Sequence, residues 1–338
     1  EIAQCLVGSE MCIRDRTKAI FAIMIGFLSS AVLGLILIPI LKKLKMGQRV
    51  SVFVGEAHRK KEGTPTIGGL IFIIPTVAAT ILLILTDKIP YTANLGIVLL
   101  VFLGYACIGF LDDFLSIRRA QNEGLTTYQK LIMQVLIAIG FFYIYMRNGG
   151  QTSWVVGTLH IDIEMGWLYG LFILFVLVGA SNAVNLTDGL DGLAGGLSAI
   201  AYIAFALISL MVGFEDIGIF SLILVGSLMG YLIYNTHPAK VIMGDTGSLA
   251  LGATMGAIAI LTHRELTLLV VAGIFVIETL SVIIQTFWVQ VFHKKLFLMT
   301  PIHHHFEKLG WEETDIVKLF WVGGLLLAMA GIIFGVWL

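Results

Sequence analysis

The chain has 338 residues, 58% hydrophobic and 13% charged, with a net charge of −1 and a mean hydropathy of +0.96. Soluble domains hold about 45–50% apolar and about 25% charged residues, so this composition excludes an ordinary soluble domain. The near-neutral charge removes the electrostatic case for a nucleic-acid partner.

Residues 1–16 carry two arginines and three acids, with no apolar run long enough for a signal peptide. They read as a sequence scar or a disordered leader and are set outside the fold. Residues 17–338 are expected to form one domain of ten apolar spans, each near the roughly 20 residues a bilayer core requires. In chain order these are Ile20–Leu41, Thr66–Leu85, Ala93–Leu111, Tyr128–Met146 and Trp167–Ala183, then Leu193–Val212, Ile217–Tyr234, Ser248–Leu261, Leu266–Phe292 and Val317–Trp337. The eighth is short, and the ninth is long enough to tilt or to run on beyond the membrane. Between the fourth and fifth spans, Leu159-His160-Ile161-Asp162-Ile163 alternates as a small β-hairpin does. The expected class is therefore an all-α polytopic membrane protein with ten transmembrane helices, a small external hairpin and a cytoplasmic active-site cleft. No internal repeat is evident. The three cysteines have neither disulfide nor zinc spacing, and Cys107 lies in an apolar run as a small packing residue.

The connections alternate between two sides. The odd-numbered ones and their flanks hold 15 lysines and arginines, and the even-numbered ones hold only Lys88, Arg147 and Arg264. Basic residues concentrate on the cytoplasmic side, so the odd connections are expected there, with both termini outside. Five polar motifs fall on odd connections: Lys61 to Thr66, Asp112-Asp113, Asn185 to Asp191, Gly244 to Ser248 and His303 to His305. Carboxylates, amides and imidazoles gathered at one interface suit chemistry better than passage of a solute.

Each motif also has a plainer reading. Asp112 and Asp113 end the third span, where the helix dipole disfavours acids, so the pair suggests a cation or a proton-transfer role, or else a solvated loop start. In Asn185-Leu186-Thr187-Asp188-Gly189-Leu190-Asp191, short side chains let the backbone turn tightly near a ligand, while Asp191 can simply cap the sixth helix. Asp245 opens the eighth span as an N-cap candidate. A helix N-terminus is also an anion site, and an acid beside it makes sense if a divalent cation bridges it to phosphate. Such oxygen donors favour Mg²⁺ over zinc, and Asn235 can join the same pocket. Three consecutive histidines cannot all face one ion on regular structure, so His303, His304 and His305 suit phosphate binding or proton transfer instead. Lys61 and Lys130 either contact phosphate or serve only as topology-setting lysines. Glu278, mid-span, is costly in lipid but can equally be a paired packing residue, and it stays outside the expected site.

Taken together, these motifs resemble the phospho-N-acetylmuramoyl-pentapeptide transferases (the translocase I family) of the polyprenyl-phosphate N-acetylhexosamine-1-phosphate transferase superfamily. Asp112-Asp113, the run Asn185 to Gly192 and Gly244 to Ser248 mark the superfamily. Lys61 to Gly69 and Pro301 to Glu307 are more specific to this branch, and the resemblance covers about residues 18–338. It implies transfer of phospho-MurNAc-pentapeptide from UDP-MurNAc-pentapeptide to undecaprenyl phosphate, giving lipid I and UMP. It also implies Mg²⁺, a homodimer and a bacterial plasma-membrane location. By the same resemblance, Asp245 is the magnesium-binding aspartate, Asp112 the base toward the lipid phosphate and Asp113 its partner. Asn185, Asp188, Gly189, Leu190 and Asp191 match the nucleoside side, with Lys61, Thr66, Lys130 and Asn235 lining the cleft and the three histidines matching the His motif. Many relatives carry an aromatic residue three positions before the aspartate of GDTGS, stacked on uracil. Here that position is Ile242, an aliphatic face for the base. The alternatives are a relative using UDP-GlcNAc, a membrane transporter, whose polar sites lie nearer the midplane, and a catalytically dead scaffold.

Overall fold

The computed structural model describes residues 2–44, 63–119, 124–156 and 161–337. The chain order is α1 (Ile2–Lys43), α2 (Leu70–Leu85), α3 (Ala93–Arg119), α4 (Thr127–Arg147), β1 (Ser153–Val156), β2 (Ile161–Glu164), α5 (Leu168–Thr187) and α6 (Leu193–Met211). There follow α7 (Glu215–Asn235), α8 (Gly244–Leu261), α9 (Glu265–Val271), α10 (Gly273–Phe292), α11 (Ile302–Lys308) and α12 (Glu313–Trp337). Among the described residues, nine helices are long and apolar enough to cross a membrane. The apolar α2 has 16 residues, about 24 Å of helix against a core of about 30 Å.

Burial separates the helices into a centre and a rim. In α8 every residue from Thr246 to Leu261 is buried, and α7 and α6 are buried over most of their length. The centre is built by α3 and α5 packing on α8, α6 and α1 on α7, and α12 on α6. The rim helices expose large side chains such as Leu35, Leu136, Phe175 and Phe287. A soluble protein would bury such residues; an apolar solvent on the rim explains why they point outward. Tyrosine hydroxyls bind buried carbonyls across helices: Tyr202 donates to Leu251 O at 2.6 Å, and Tyr234 to Ala31 O at 2.6 Å.

Four local departures follow from identifiable residues. The ninth span is two helices, broken at Ala272 ahead of Gly273. Helix α3 continues to Arg119, because Arg118 and Arg119 complement the negative end of the dipole in its last turn. Asp112 and Asp113 therefore lie inside the helix, not at its end. Helix α8 begins at Gly244 after Met243, so Asp245 lies in its first turn and is not its cap. Cys107 is exposed rather than packed. The hairpin forms as an antiparallel pair with Ser153 opposite Glu164 and Val156 opposite Ile161. Helix α1 runs back to Ile2, through the segment set apart by its composition.

Candidate active site

The first turn of α8 is where the motifs meet. Helix α3 crosses it at Gly109, where a Cβ would collide with the carbonyl of Asp245 and the amide of Thr246. Only a bare Cα permits that approach. Four residues on, Asp113 reaches the free amides at the start of α8. Its carboxylate accepts from Asp245 N at 3.1 Å, Thr246 N at 2.9 Å and Thr246 Oγ1 at 2.6 Å. The helix N-terminus does hold an anion, and that anion is Asp113, which caps α8 from another helix.

Asp112, buried on the adjacent residue of α3, turns the other way. It accepts from Leu125 N at 2.7 Å and so folds the connection to α4 back toward α3. Thr126 and Gln129 then form a reciprocal capping box that opens α4. One residue further along, Lys130 places its ammonium 3.0 Å from Asp112 Oδ1 and 2.9 Å from Asp245 Oδ2. From α5, Asn185 donates to Asp245 Oδ1 at 2.8 Å and to Ser248 Oγ at 2.9 Å. Four helices thus converge on Asp245. Three carboxylates with one lysine leave an excess of negative charge, which a cation can offset.

The remaining sequence-derived residues surround this centre at different removes. Thr66 is buried in a segment tied to the entry of α8, where Ile242 N donates to Pro65 O at 2.8 Å and Gly68 N to Ile242 O at 2.9 Å. Ile67 has a positive φ of 66° there, a strained conformation for a β-branched residue. It is fully buried, and the neighbouring bonds hold it in place. Asp188, Gly189 and Leu190 form the turn after α5, with Leu190 buried. Asn235 is buried and structural in its contacts: it accepts from Gly192 N at 3.2 Å and donates to Val241 O at 3.0 Å. Lys61 lies outside the described residues.

Asp191 does not cap α6, whose N-cap position is Gly192. It turns instead to the loop after α7, accepting from Ala239 N at 3.0 Å and facing His237 Nδ1 at 3.2 Å. Its own amide donates to Glu313 Oε1 at 2.7 Å. The ligand atoms of Asp191, His237 and Glu313 lie within 4.8 Å of one another. The three histidines diverge: buried His303 faces Glu278, His304 faces Glu307 at 2.5 Å, and His305 Nδ1 accepts from Leu298 N at 3.1 Å. They do not share one ion.

Residues 95–263 match the model of the glycosyl transferase family 4, a stretch that holds Asp112, Lys130, Asn185 and Asp245. The phospho-N-acetylmuramoyl-pentapeptide-transferase of Bacillus licheniformis is 46% identical over 320 residues, covering 94% of this chain and 98% of the relative. Those of Bacillus velezensis and Bacillus subtilis strain 168 are 47% and 46% identical with the same coverage. The chain belongs to the phospho-N-acetylmuramoyl-pentapeptide transferase family.

Membership turns the transporter and UDP-GlcNAc readings into the weaker ones. Further polar residues outside the expected site also take part. Ser248 accepts from Asn185 of α5 and Thr246 donates to Asp113 of α3, and Glu278 and Gln285 face inward from α10. A mid-span acid was the available signal for Glu278. Gln285 had none, because only the tertiary fold brings Leu296 and Phe297 to its side chain.

Proposed function

We propose that residues 17–338 act as a transferase that moves phospho-MurNAc-pentapeptide from UDP-MurNAc-pentapeptide to undecaprenyl phosphate, forming lipid I and releasing UMP in peptidoglycan synthesis. The observation that carries this reading is the meeting of Asp112, Lys130, Asn185 and Asp245 from four helices on one point. In this reading the nine long helices and the shorter α2 make ten spans of the bacterial plasma membrane. The site opens to the cytoplasm, both termini lie outside, and the working unit is a homodimer.

Mg²⁺ fits the residues present. Asp112 and Asp245 already converge on the Lys130 ammonium, a cation position between two carboxylates. Their donors are hard oxygens, as Mg²⁺ prefers. The cluster of Asp191, His237 and Glu313 suits it less: it includes an imidazole, and two of its carboxylate oxygens are engaged by backbone amides. Asp245, with Asp112 beside it, would hold the ion, which supplies charge neutralisation for a diphosphate. Asp113 is committed to the amides of α8.

The chain's own contribution is mainly positioning and charge. Lys130 meets phosphate charge as a point cation. Asn185 fixes the orientation of Asp245. The turn Asp188 to Leu190 and the aliphatic face of Ile242 accept the nucleoside half, Thr66 and the His motif border it, and Asn235 braces the turn through Gly192 N. A lipid phosphate oxygen attacks the β-phosphorus, and the bond from that phosphorus to the UMP oxygen breaks as UMP leaves with the electron pair. A phosphate monoester has a second pKa of about 6, so the acceptor is mostly a dianion at neutral pH and needs little base assistance. Direct attack is favoured on that ground. A phosphorylated enzyme trapped without the lipid acceptor would defeat it.

The test is lipid I formation by wild type, Asp112→Asn and Asp245→Asn across a magnesium titration, with UDP-GlcNAc as a competing donor. Both variants are expected to fold in detergent and lose most turnover. Near-normal turnover by Asp245→Asn would remove it from the ion site, and faster transfer from UDP-GlcNAc would redirect the substrate assignment.

A further inference from the structure

Glu278 and His303 are both fully buried, with Oε2 of the carboxylate 3.1 Å from Nδ1 of the imidazole. Among the described residues neither side chain makes a hydrogen bond of good geometry, to the other or to any third group, so the 3.1 Å approach is a close contact of the two groups rather than an aligned bond. A carboxylate stripped of water without a partner costs several kcal/mol, so its one polar neighbour defines what it is for. Helix α10 buries only Gly273, Phe275, Glu278, Ser281 and Gln285. Three of these five are polar, and the spacing 278, 281, 285 puts them on one face. The far end of that face secures the chain leading to the His motif. Gln285 Oε1 accepts from Leu296 N and Phe297 N at 3.0 Å each, and its Nε2 donates to Phe297 O at 3.1 Å. On its other edge, His303 abuts the turn after α5. A Cβ added to Gly189 would collide with His303 Nε2. That turn follows Asn185, which holds Asp245.

We propose that Glu278 is a positioning residue for the transferase site: it orients the His303 imidazole against Gly189 and so fixes the shape of the turn that receives the nucleoside half of the donor. The assignment rests on the transferase reading above and adds a residue to it. A carboxylate 3.1 Å from Nδ1 favours the proton on that nitrogen, a small turn of the ring aligning the bond, and leaves Nε2 bare toward the turn. Glu278 touches neither substrate. Its influence falls on the donor side, because the acceptor meets Asp112 and Lys130, whose bonds run to Leu125, Asp245 and each other rather than to this pair.

The experiment compares Glu278→Leu, Glu278→Gln, His303→Asn and the Leu/Asn double variant in lipid I formation, varying each substrate separately. Glu278→Leu should raise the KM for UDP-MurNAc-pentapeptide about tenfold or more while the KM for undecaprenyl phosphate stays within about twofold. Glu278→Gln keeps an acceptor oxygen for Nδ1–H and should recover the donor KM to within about threefold. The double variant should be no worse than the worse single one. Equal changes in both KM values, a fall in kcat alone, or multiplicative losses in the double variant would overturn the proposal. If Glu278→Leu does not fold, ¹⁵N spectra of imidazole-labelled wild type and Glu278→Gln still decide it. A proton on Nδ1 of His303 supports the pair, and a neutral ring protonated on Nε2 overturns it. That spectrum does not depend on turnover, so a wild type that forms no lipid I would sink the transferase reading without bearing on the pair.

Discussion

Helices α8 and α10 both lead into the site, and they are built on opposite plans. Helix α8 is buried at every residue from Thr246 to Leu261 and meets its neighbours backbone to backbone. Helix α10 is buried at five residues, three of them polar, and meets the site through side chains. The acid half is thus held by close approach of main chains, and the histidine half by a polar stripe. A main chain cannot move aside for an added atom, whereas a side chain can. Gly109→Ala, whose Cβ would meet the backbone of Asp245, should therefore separate α3 from α8 and reduce lipid I formation about 100-fold or more. It should also destabilise the fold by about 1–3 kcal/mol. Gly189→Ala, whose Cβ would meet only the His303 ring, should cost closer to about tenfold. Initial rates and detergent melting of the two variants make the comparison; equal losses would break it.

The adjacent acids Asp112 and Asp113 offer the next-largest contrast. Asp113 receives two amides and a hydroxyl of α8, so it fastens the fold. Asp112 reaches Lys130 and faces the reactive centre. Asp113→Asn should lower stability by about 1–2 kcal/mol, the worth of a helix cap, together with turnover. Asp112→Asn should melt close to wild type yet lose about 100-fold or more in rate. A thermal melt of Asp113→Asn that matches wild type would show that its bonds to α8 carry no weight.

Much of this was legible from the chain because each motif sits at the end of an apolar run. The long apolar helices and the hairpin follow from hydropathy and alternation, though the ninth expected span is two helices. What stayed hidden depends on which helices touch. Adjacency in the chain makes Asp113 look like a catalytic partner of Asp112, since nothing local reveals that α3 crosses the first turn of α8 at Gly109. Asp191 looked like a cap for the helix that follows it, yet its carboxylate finds Ala239 and His237, 46 or more residues on. Helix ends were misjudged by several residues for a related reason. Hydropathy marks where an apolar run stops, but α3 continues past that point through Arg118 and Arg119, whose charges suit its last turn. Glu278 stood out as a mid-span acid, and only the fold supplies its partner.

Lys130 sharpens the contrast within the acid half itself. Its ammonium lies within 3.0 Å of both Asp112 and Asp245, so in the proposed site it would compete with a metal ion for the same charge while assisting with phosphate. Lys130→Ala should lower turnover about 100-fold, in line with loss of one preorganised charge donor. It should also reduce the magnesium concentration for half-maximal rate, because two carboxylates lose their resident cation. Chelation should abolish activity in wild type and variant alike. A rise in the half-maximal magnesium concentration would mean that the lysine supports the ion rather than competing with it.

The smallest effect is expected at Ile242, which the proposed function puts on the nucleoside side. Its amide donates to Pro65 O and its carbonyl accepts from Gly68 N, so the backbone fixes where the side chain starts whatever its identity. The side chain itself is only half-buried, which leaves room for a flat ring. Stacking on a base is worth about 1–3 kcal/mol. Part of that is already supplied by an aliphatic face, so Ile242→Phe should lower the KM for UDP-MurNAc-pentapeptide by about three- to tenfold with kcat nearly unchanged. A matched fall in competitive inhibition by UMP would place the gain on the base, since UMP lacks the sugar and peptide. If the donor KM improves while UMP binds no better, the ring acts on the peptide half, and position 242 does not face the nucleoside.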